Sequence, residues 1–318
     1  MNRLRQLLLR REATTMIALV LVVIVFSILN PLYLSGGNLV DVIDQATING
    51  LLALGITFVI ITGGIDLSVG STMAIVIVVV GQLLTSGGLH PVVAALVGVI
   101  LGILLGLVNG FLVAKLGLQP FIATLATMSA YRGLAYIVTG GWPVLDIPAF
   151  FRAMLDGDLA GVLPIAIVIL LAFAVVGHLI LTKTRTGVYI FAIGGNEEST
   201  RLSGVNVFRN KSIAYALCGV GAALAGMVLL ARLGTGEPTA GQGYELNAIA
   251  AAAIGGTSLA GGKGSIVGTL LGALLLSALR VGLVVQGVDA FWQYIATGAI
   301  IAFAAYFEIL RDRINVKA

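Results

Sequence analysis

Apolar runs of about 20 residues recur from one end of this chain to the other, the length at which an α-helix crosses a hydrocarbon layer of about 30 Å. No other feature restricts the fold as severely. In lipid, backbone N–H and C=O groups must be satisfied within their own segment or in a closed barrel, and continuous apolarity without alternation selects helices. The composition agrees, because 59% of the 318 residues are hydrophobic and only 10% charged, against roughly a quarter charged in an ordinary soluble domain. The expected fold is therefore an all-α polytopic membrane protein, one transmembrane domain over 1–318 with no soluble domain left over.

Ten spans are expected, at 14–34, 46–63, 69–86, 91–114, 118–138, 161–182, 212–233, 244–259, 265–285 and 290–310. The first follows Arg3, Arg5, Arg10 and Arg11 like a signal peptide, but its apolar stretch is too long and lacks a small-x-small cleavage site, so it reads as an uncleaved span. Cytoplasmic loops of membrane proteins collect Lys and Arg. With the N-terminus inside, the internal segments hold Arg3, Arg5, Arg10, Arg11, Lys115, Lys183, Arg185, Arg201, Arg209, Lys211, Lys263, Arg311, Arg313 and Lys317, which is 14 of the 18 basic residues. Both termini are then cytoplasmic, with tails at 1–13 and 311–318 and the longest internal loop at 183–211.

Two glycine rows promise close helix packing. Gly98, Gly102, Gly106 and Gly110 recur every four residues in the fourth span, and Gly268 and Gly272 repeat the spacing in the ninth; small residues on one face let another helix approach. A short internal echo pairs Gly63–Leu67 (GGIDL) with Gly255–Leu259 (GGTSL), each followed by Gly-Ser.

Several chemistries are excluded. One cysteine, Cys218, allows no internal disulfide, and His90 and His178 form no ligand cluster for a metal. "GGTSLAGGKGS" (Gly255 to Ser265) contains Gly262-Lys263 but lacks the glycine, the Ser/Thr and the preceding strand of a phosphate-binding loop. No H-E-x-x-H, paired carboxylates or nucleophile elbow occurs either. The chain is expected to be non-catalytic, to bind no metal and no cofactor of its own, and to leave any nucleotide hydrolysis to another chain.

Against this background "AIGGNEESTRLSGVNVFRNKS" (Ala192 to Ser212) is a polar island. Asn196 suits a helix N-cap, Glu197 and Glu198 fall in the first turn where the dipole favours anions, and Gly204 suits the stop. Glu197 and Arg201 stand four apart in the favourable order. Two turns are too short to persist alone in water, so Leu202 and Val205 are expected to supply an apolar contact on the protein's own inner face or on a cytoplasmic partner.

Polar residues inside spans are the remaining candidates. Asp66, in "GGIDLSVGS", is an ionisable group beside a membrane-embedded break, and with Ser68 it suits capping of the third span. Asn49, Asn109, Thr124, Thr127 and Asn247 could hold helices together or line a path with hydroxyl-matching groups. Arg152, Arg232 and Arg280 lie near external ends and could receive acidic residues of a docking protein or snorkel. Arg132, in the fifth span, has no obvious partner. Trp142, Phe150, Phe151, Trp292 and Tyr294 fit an interfacial aromatic belt.

Three passages together resemble a known family. "ITGGIDLSVGS" (Ile61 to Ser71), "AIGGNEESTRLSGVNV" (Ala192 to Val207) and "PTAGQGYELNAIAAAAIGGTSLAGGKGS" (Pro238 to Ser265) are similar, in this order, to the permease subunits of bacterial ribose-type (simple sugar) ABC importers. The likeness runs from about residue 14 to about residue 310. It implies a type II ABC importer-like permease fold in the bacterial inner membrane, paired with a second permease copy in a homodimer or heterodimer. It also implies an ATP-binding cassette subunit that uses the ATP, a periplasmic or lipid-tethered sugar-binding protein, and import of a monosaccharide or related polyol. The coupling-helix role carries over to Gly194, Gly195, Asn196, Glu197, Glu198, Ser199, Arg201, Leu202, Ser203 and Gly204. The alternative is a self-sufficient ion-coupled secondary transporter or channel, which should show a relay of intramembrane acids; only Asp66 and Glu245 qualify.

Overall fold

A computed structural model of the protein describes residues 11–159, 163–289, 291–293, 295–299, 302 and 306. Residues 1–10 of the N-terminal tail, residues 311–318, Tyr294 and much of the expected tenth span lie outside the described residues. The chain is helical nearly throughout: α1 Arg11–Leu29, α2 Gly36–Ile61, α3 Val69–Leu84, α4 Pro91–Ala114, α5 Pro120–Thr139, α6 Ala149–Asp156, α7 Ile165–Lys183, α8 Arg185–Gly195, α9 Glu197–Leu202, α10 Val207–Leu233, α11 Tyr244–Ile254 and α12 Ile266–Val285. One short hairpin pairs Asp158–Leu159 (β1) with Leu163–Pro164 (β2).

Seven of the described helices are long and apolar enough to cross a membrane: α1, α2, α4, α5, α7, α10 and α12. The expected third and eighth spans are the exceptions. Helix α3 has 16 residues and α11 has 11, about 24 Å and 17 Å at 1.5 Å per residue, so each falls short of the hydrocarbon thickness. The reason is local chemistry. Gly243 adopts φ 80° immediately before α11 and Gly255 and Gly256 end it, so a window that reads only apolarity runs past both breaks. Helix α2 begins ten residues earlier than expected, because Ser35 caps it by accepting from the Asn38 N–H and the turn carrying Asp41 and Asp44 is helical despite its charge.

Helices α2 and α10 form the buried centre. Around them α3 and α4 pack on α10, α12 and α7 pack on α2, α5 covers α3, and α1 rides on the outside of α12. Glycines set the closest approach. A Cβ on Gly98 would stand 2.8 Å from Val80 and 2.9 Å from the Met227 sulfur, and one on Gly110 2.7 Å from the Ser212 Cα; Gly102 and Gly106 would overlap the carbonyls of Gly219 and Tyr215. Gly102, Gly106 and Gly110 of α4 thus lie directly on the backbone of α10, while Gly98 meets side chains of α3 and α10. Gly268 and Gly272 of α12 do the same against Gly255 and Ala251.

At one end of the bundle Arg232 (α10) reaches Asp156 at 3.0 Å and Asp44 (α2) at 3.1 Å, tying three elements. In the aromatic set, Trp142, Phe150 and Trp292 are exposed, as a belt requires, but Phe151 is fully buried. It lies on the inward face of α6, whose short amphipathic turn a span-level reading does not resolve.

The α4–α10 contact yields a test. Gly106→Leu is expected to strain or separate these helices, at a cost above the roughly 1–3 kcal/mol typical of an overpacked core, and to lower the thermal midpoint in detergent sharply. Gly133→Leu, where a side chain meets nothing within 4 Å, should leave that midpoint unchanged.

Candidate functional site

The polar island folds as a capped helix. Asn196 adopts an extended conformation and its side chain accepts the Ser199 N–H at 2.8 Å, and Gly204 closes the helix at φ 81°, a conformation that suits glycine. Glu197 accepts from Arg201 at 2.9 Å and from Lys211 at 2.6 Å, which clamps α9 to the first turn of α10. Burial alone would raise the Glu197 carboxyl; Lys211 and Arg201 outweigh it and hold the group below the ordinary carboxylate range. Leu202, however, is 80% exposed. It makes no apolar contact holding α9 to its own protein, so the cap, the Lys211 clamp and the buried Thr200 carry that task, and an apolar side chain stands free on an exposed helix.

Beneath α9, three loops meet through their main chains. The Gly262 N–H donates to the Ile61 carbonyl at 2.9 Å. A Cβ on Gly261 would lie 2.9 Å from the Gly63 Cα, one on Gly262 3.1 Å from the Gly195 Cα, and one on Gly194 would overlap the Ile61 carbonyl. The polar island therefore touches both the break after α2 and the loop between α11 and α12. The two echoed glycine segments, at 63–71 and 255–265, are neighbours in space as well as similar in sequence.

The break after α2 contains the second cluster. Asp66 is 2% exposed; its Oδ1 accepts from the Ser68 N–H at 2.9 Å and the Ser68 hydroxyl at 2.7 Å. Asn109 of α4 donates to the Asp66 carboxylate at 3.3 Å and to Ser68 at 2.8 Å, and its oxygen accepts from Thr127 of α5 at 2.7 Å. Thr124 donates to the Ile65 carbonyl at 3.2 Å. Asp66, Ser68, Asn109, Thr124 and Thr127 thus form one buried network joining the break to α4 and α5. Every named side chain in it has a partner, so the network fastens helices in this conformation rather than presenting open donors to a solute.

A second irregular stretch, 234–243, leads into α11. Arg132 donates to the Pro238 carbonyl at 2.6 Å and the Ala240 carbonyl at 2.7 Å. This supplies the partner that non-helical backbone needs at membrane depth, and it is the role that the fifth-span arginine lacked in the sequence. Asn49 and Asn247 do not join the Asp66 network. They line a separate cleft with Arg280. Of the other external arginines, Arg232 is engaged by Asp44 and Asp156, and Arg152 donates to the Ala231 carbonyl at 3.2 Å. Among the described residues no group of three or more His, Cys, Asp or Glu could hold a metal.

Comparison with known proteins places these features. Residues 38–305 match the profile of the family described as branched-chain amino acid transport system / permease component. The chain is 44% identical to the ribose import permease protein RbsC of Bacillus subtilis (strain 168), over 92% of this chain and 91% of the relative. It is 43% identical to the protein of the same name from Escherichia coli (strain K12), over 93% of each. The D-allose transport system permease protein AlsC of Escherichia coli (strain K12) is 36% identical over 93% of this chain and 91% of its own. No solved structure matches the chain.

Two outcomes are expected. Asp66→Asn replaces a carboxylate oxygen with a donor where Ser68 and Asn109 already donate, and should destabilise the detergent-solubilised protein by about 1–3 kcal/mol, read as a lowered thermal midpoint. For Glu197, a carboxyl held low in the folded state contributes order that is complete above the ordinary glutamate range and lost as pH falls through the lowered value. Amide-exchange protection of residues 197–204 should therefore decline on acidification below that range, and Lys211→Met should abolish the dependence.

Proposed function

The chain belongs to the family of transport-system permease components, and from that premise we propose that it is the membrane-spanning subunit of an ATP-driven importer that moves a monosaccharide or related polyol across the bacterial inner membrane. The relatives named for ribose and allose support the solute class. Its partners on this reading are an ATP-binding cassette ATPase, a periplasmic or lipid-tethered sugar-binding protein and a second permease copy; ATP is used by the ATPase. The distribution of basic residues supports a cytoplasmic position for α9 and the glycine junction.

The observation that carries the reading is α9 itself. It is a helix too short to stand alone, capped and clamped at one end, with Leu202 exposed at the other. Such an element suits insertion into a groove of an ATPase. Gly194, Gly195 and Asn196 set its position, Glu197 and Arg201 brace it, Glu198, Ser199 and Leu202 face outward, and Ser203 and Gly204 close it. When two cassettes approach on ATP binding, a docked α9 moves with them. A ligand shifts a two-state equilibrium only through its differential contacts with the two states, and here the main-chain junction to the breaks beside α3 and α11 would carry that difference to the path.

Extraction of a tagged copy from its native membrane in mild detergent tests this. A cassette ATPase is expected to co-purify in stoichiometric amount, and Glu198→Arg and Leu202→Asp should each abolish co-purification and ATP-driven ribose uptake while leaving the permease folded. Normal uptake by both variants would overturn the assignment of α9. Flux retained in vesicles without ATP would favour a self-sufficient transporter.

A further inference from the structure

A cleft between α2, α11 and α12 brings together Asn49, Asn247, Arg280, Gln293 and Thr297 above a floor of α12 leucines. It is partly open and small, with about 20 Å³ of space that water can occupy.

Three observations point to a ligand. Asn49 is 5% exposed and its Oδ1 is buried without a hydrogen-bond partner, although buried acceptors are nearly always satisfied. Gln45 Oε1, one turn away on α2, and Ser277 Oγ, one turn from Arg280 on α12, are orphaned as well. Arg280, exposed and five residues from the C-terminal end of α12, lines the same cleft, and among the described residues no acceptor meets its guanidinium. The seam between α2 and α12 thus carries buried polar atoms without partners beside an exposed guanidinium.

We propose that the Asn49–Asn247–Arg280 cleft is a station on the solute path that recognises a polyhydroxylated, uncharged solute, which assigns to Arg280 a solute contact in place of protein docking. This rests on the import reading above. A hydroxyl both donates and accepts, so neighbouring hydroxyls satisfy Asn49 Oδ1 and the Arg280 N–H groups together. A carboxylate has only acceptors and would leave Asn49 Oδ1 unpaired. The space admits water and not a sugar, so the cleft must widen during transport by a shift of α11 or α12 against α2.

Two measurements on the assembled importer in proteoliposomes test this. In the first, Asn247→Cys and Arg280→Cys are treated with a water-soluble methanethiosulfonate, the buried Cys218 serving as blank. Both should react at least ten-fold faster than the blank and at least three-fold slower while ribose and ATP are present. Failure to react above the blank, or reaction indifferent to ribose, would overturn the proposal. In the second, ribose uptake per ATP hydrolysed should fall at least ten-fold in Arg280→Gln and at least three-fold in Asn247→Ala. An unchanged ratio, with uptake and hydrolysis falling together, would make Arg280 a docking residue and overturn it. Should the unsubstituted importer take up no ribose with ATP, the import reading fails by itself, and thiol reactivity still decides whether water reaches the cleft.

Discussion

Main-chain contact through glycine is the interaction on which the rest of this bundle depends. Apolar side chains gain little by meeting each other in lipid, because the surrounding tails are as apolar as they are. Helices associate there by close packing, and the closest packing brings backbone to backbone. The α4–α10 crossing does so along three successive turns through Gly102, Gly106 and Gly110. At the junction beneath α9 the same device links segments: Ile61, Gly194 and Gly262 meet with no side chain between them. A joint of this kind has almost no slack, since no rotamer can absorb a displacement, and movement of one loop must move the others or part them.

Polar bonds solve a different problem. The chain leaves helical geometry twice at depth, after α2 and before α11, and each departure exposes backbone groups that hydrocarbon cannot satisfy. Asp66, Ser68 and Asn109 close the first break, and Arg132 closes the second from α5 through two carbonyls. The two acids that look most like proton carriers in the sequence, Asp66 and Glu245, are therefore occupied with holding irregular backbone in place, Glu245 by accepting the Gly243 N–H at 3.2 Å. The cleft at Asn49 and Arg280 differs because its polar atoms are left over.

Much of this was legible in advance. Apolar length gave the polytopic class and most span centres, the glycine spacing gave the tight faces, and Asn196, Glu197 and Gly204 marked α9 with its cap and stop. What stayed hidden is what depends on neighbours. Hydropathy cannot distinguish a full span from α11, whose flanking residues are small and apolar but stand in turns. The partner of Arg132 is a pair of carbonyls, and carbonyls carry no sequence signature. Leu202 reads as an anchor from its type alone, and only the fold shows it turned away from its own protein. Arg280 was grouped with Arg152 and Arg232 by depth along the chain, whereas the fold separates a bridged arginine from one facing a cleft.

The Arg232 bridge has a mechanical consequence. It fastens α10 to α2 and α6 at the end remote from the glycine junction, so the bundle is pinned at that extremity. Helix α10 has 27 residues and is thus about 40 Å long. With its far end held, a tilt of about 5° sweeps the near end through roughly 3.5 Å over that length, about the thickness of one side-chain layer. The pin gives the helix the geometry of a lever: any tilt about the bridge displaces the helix most beside α9 and least at Arg232.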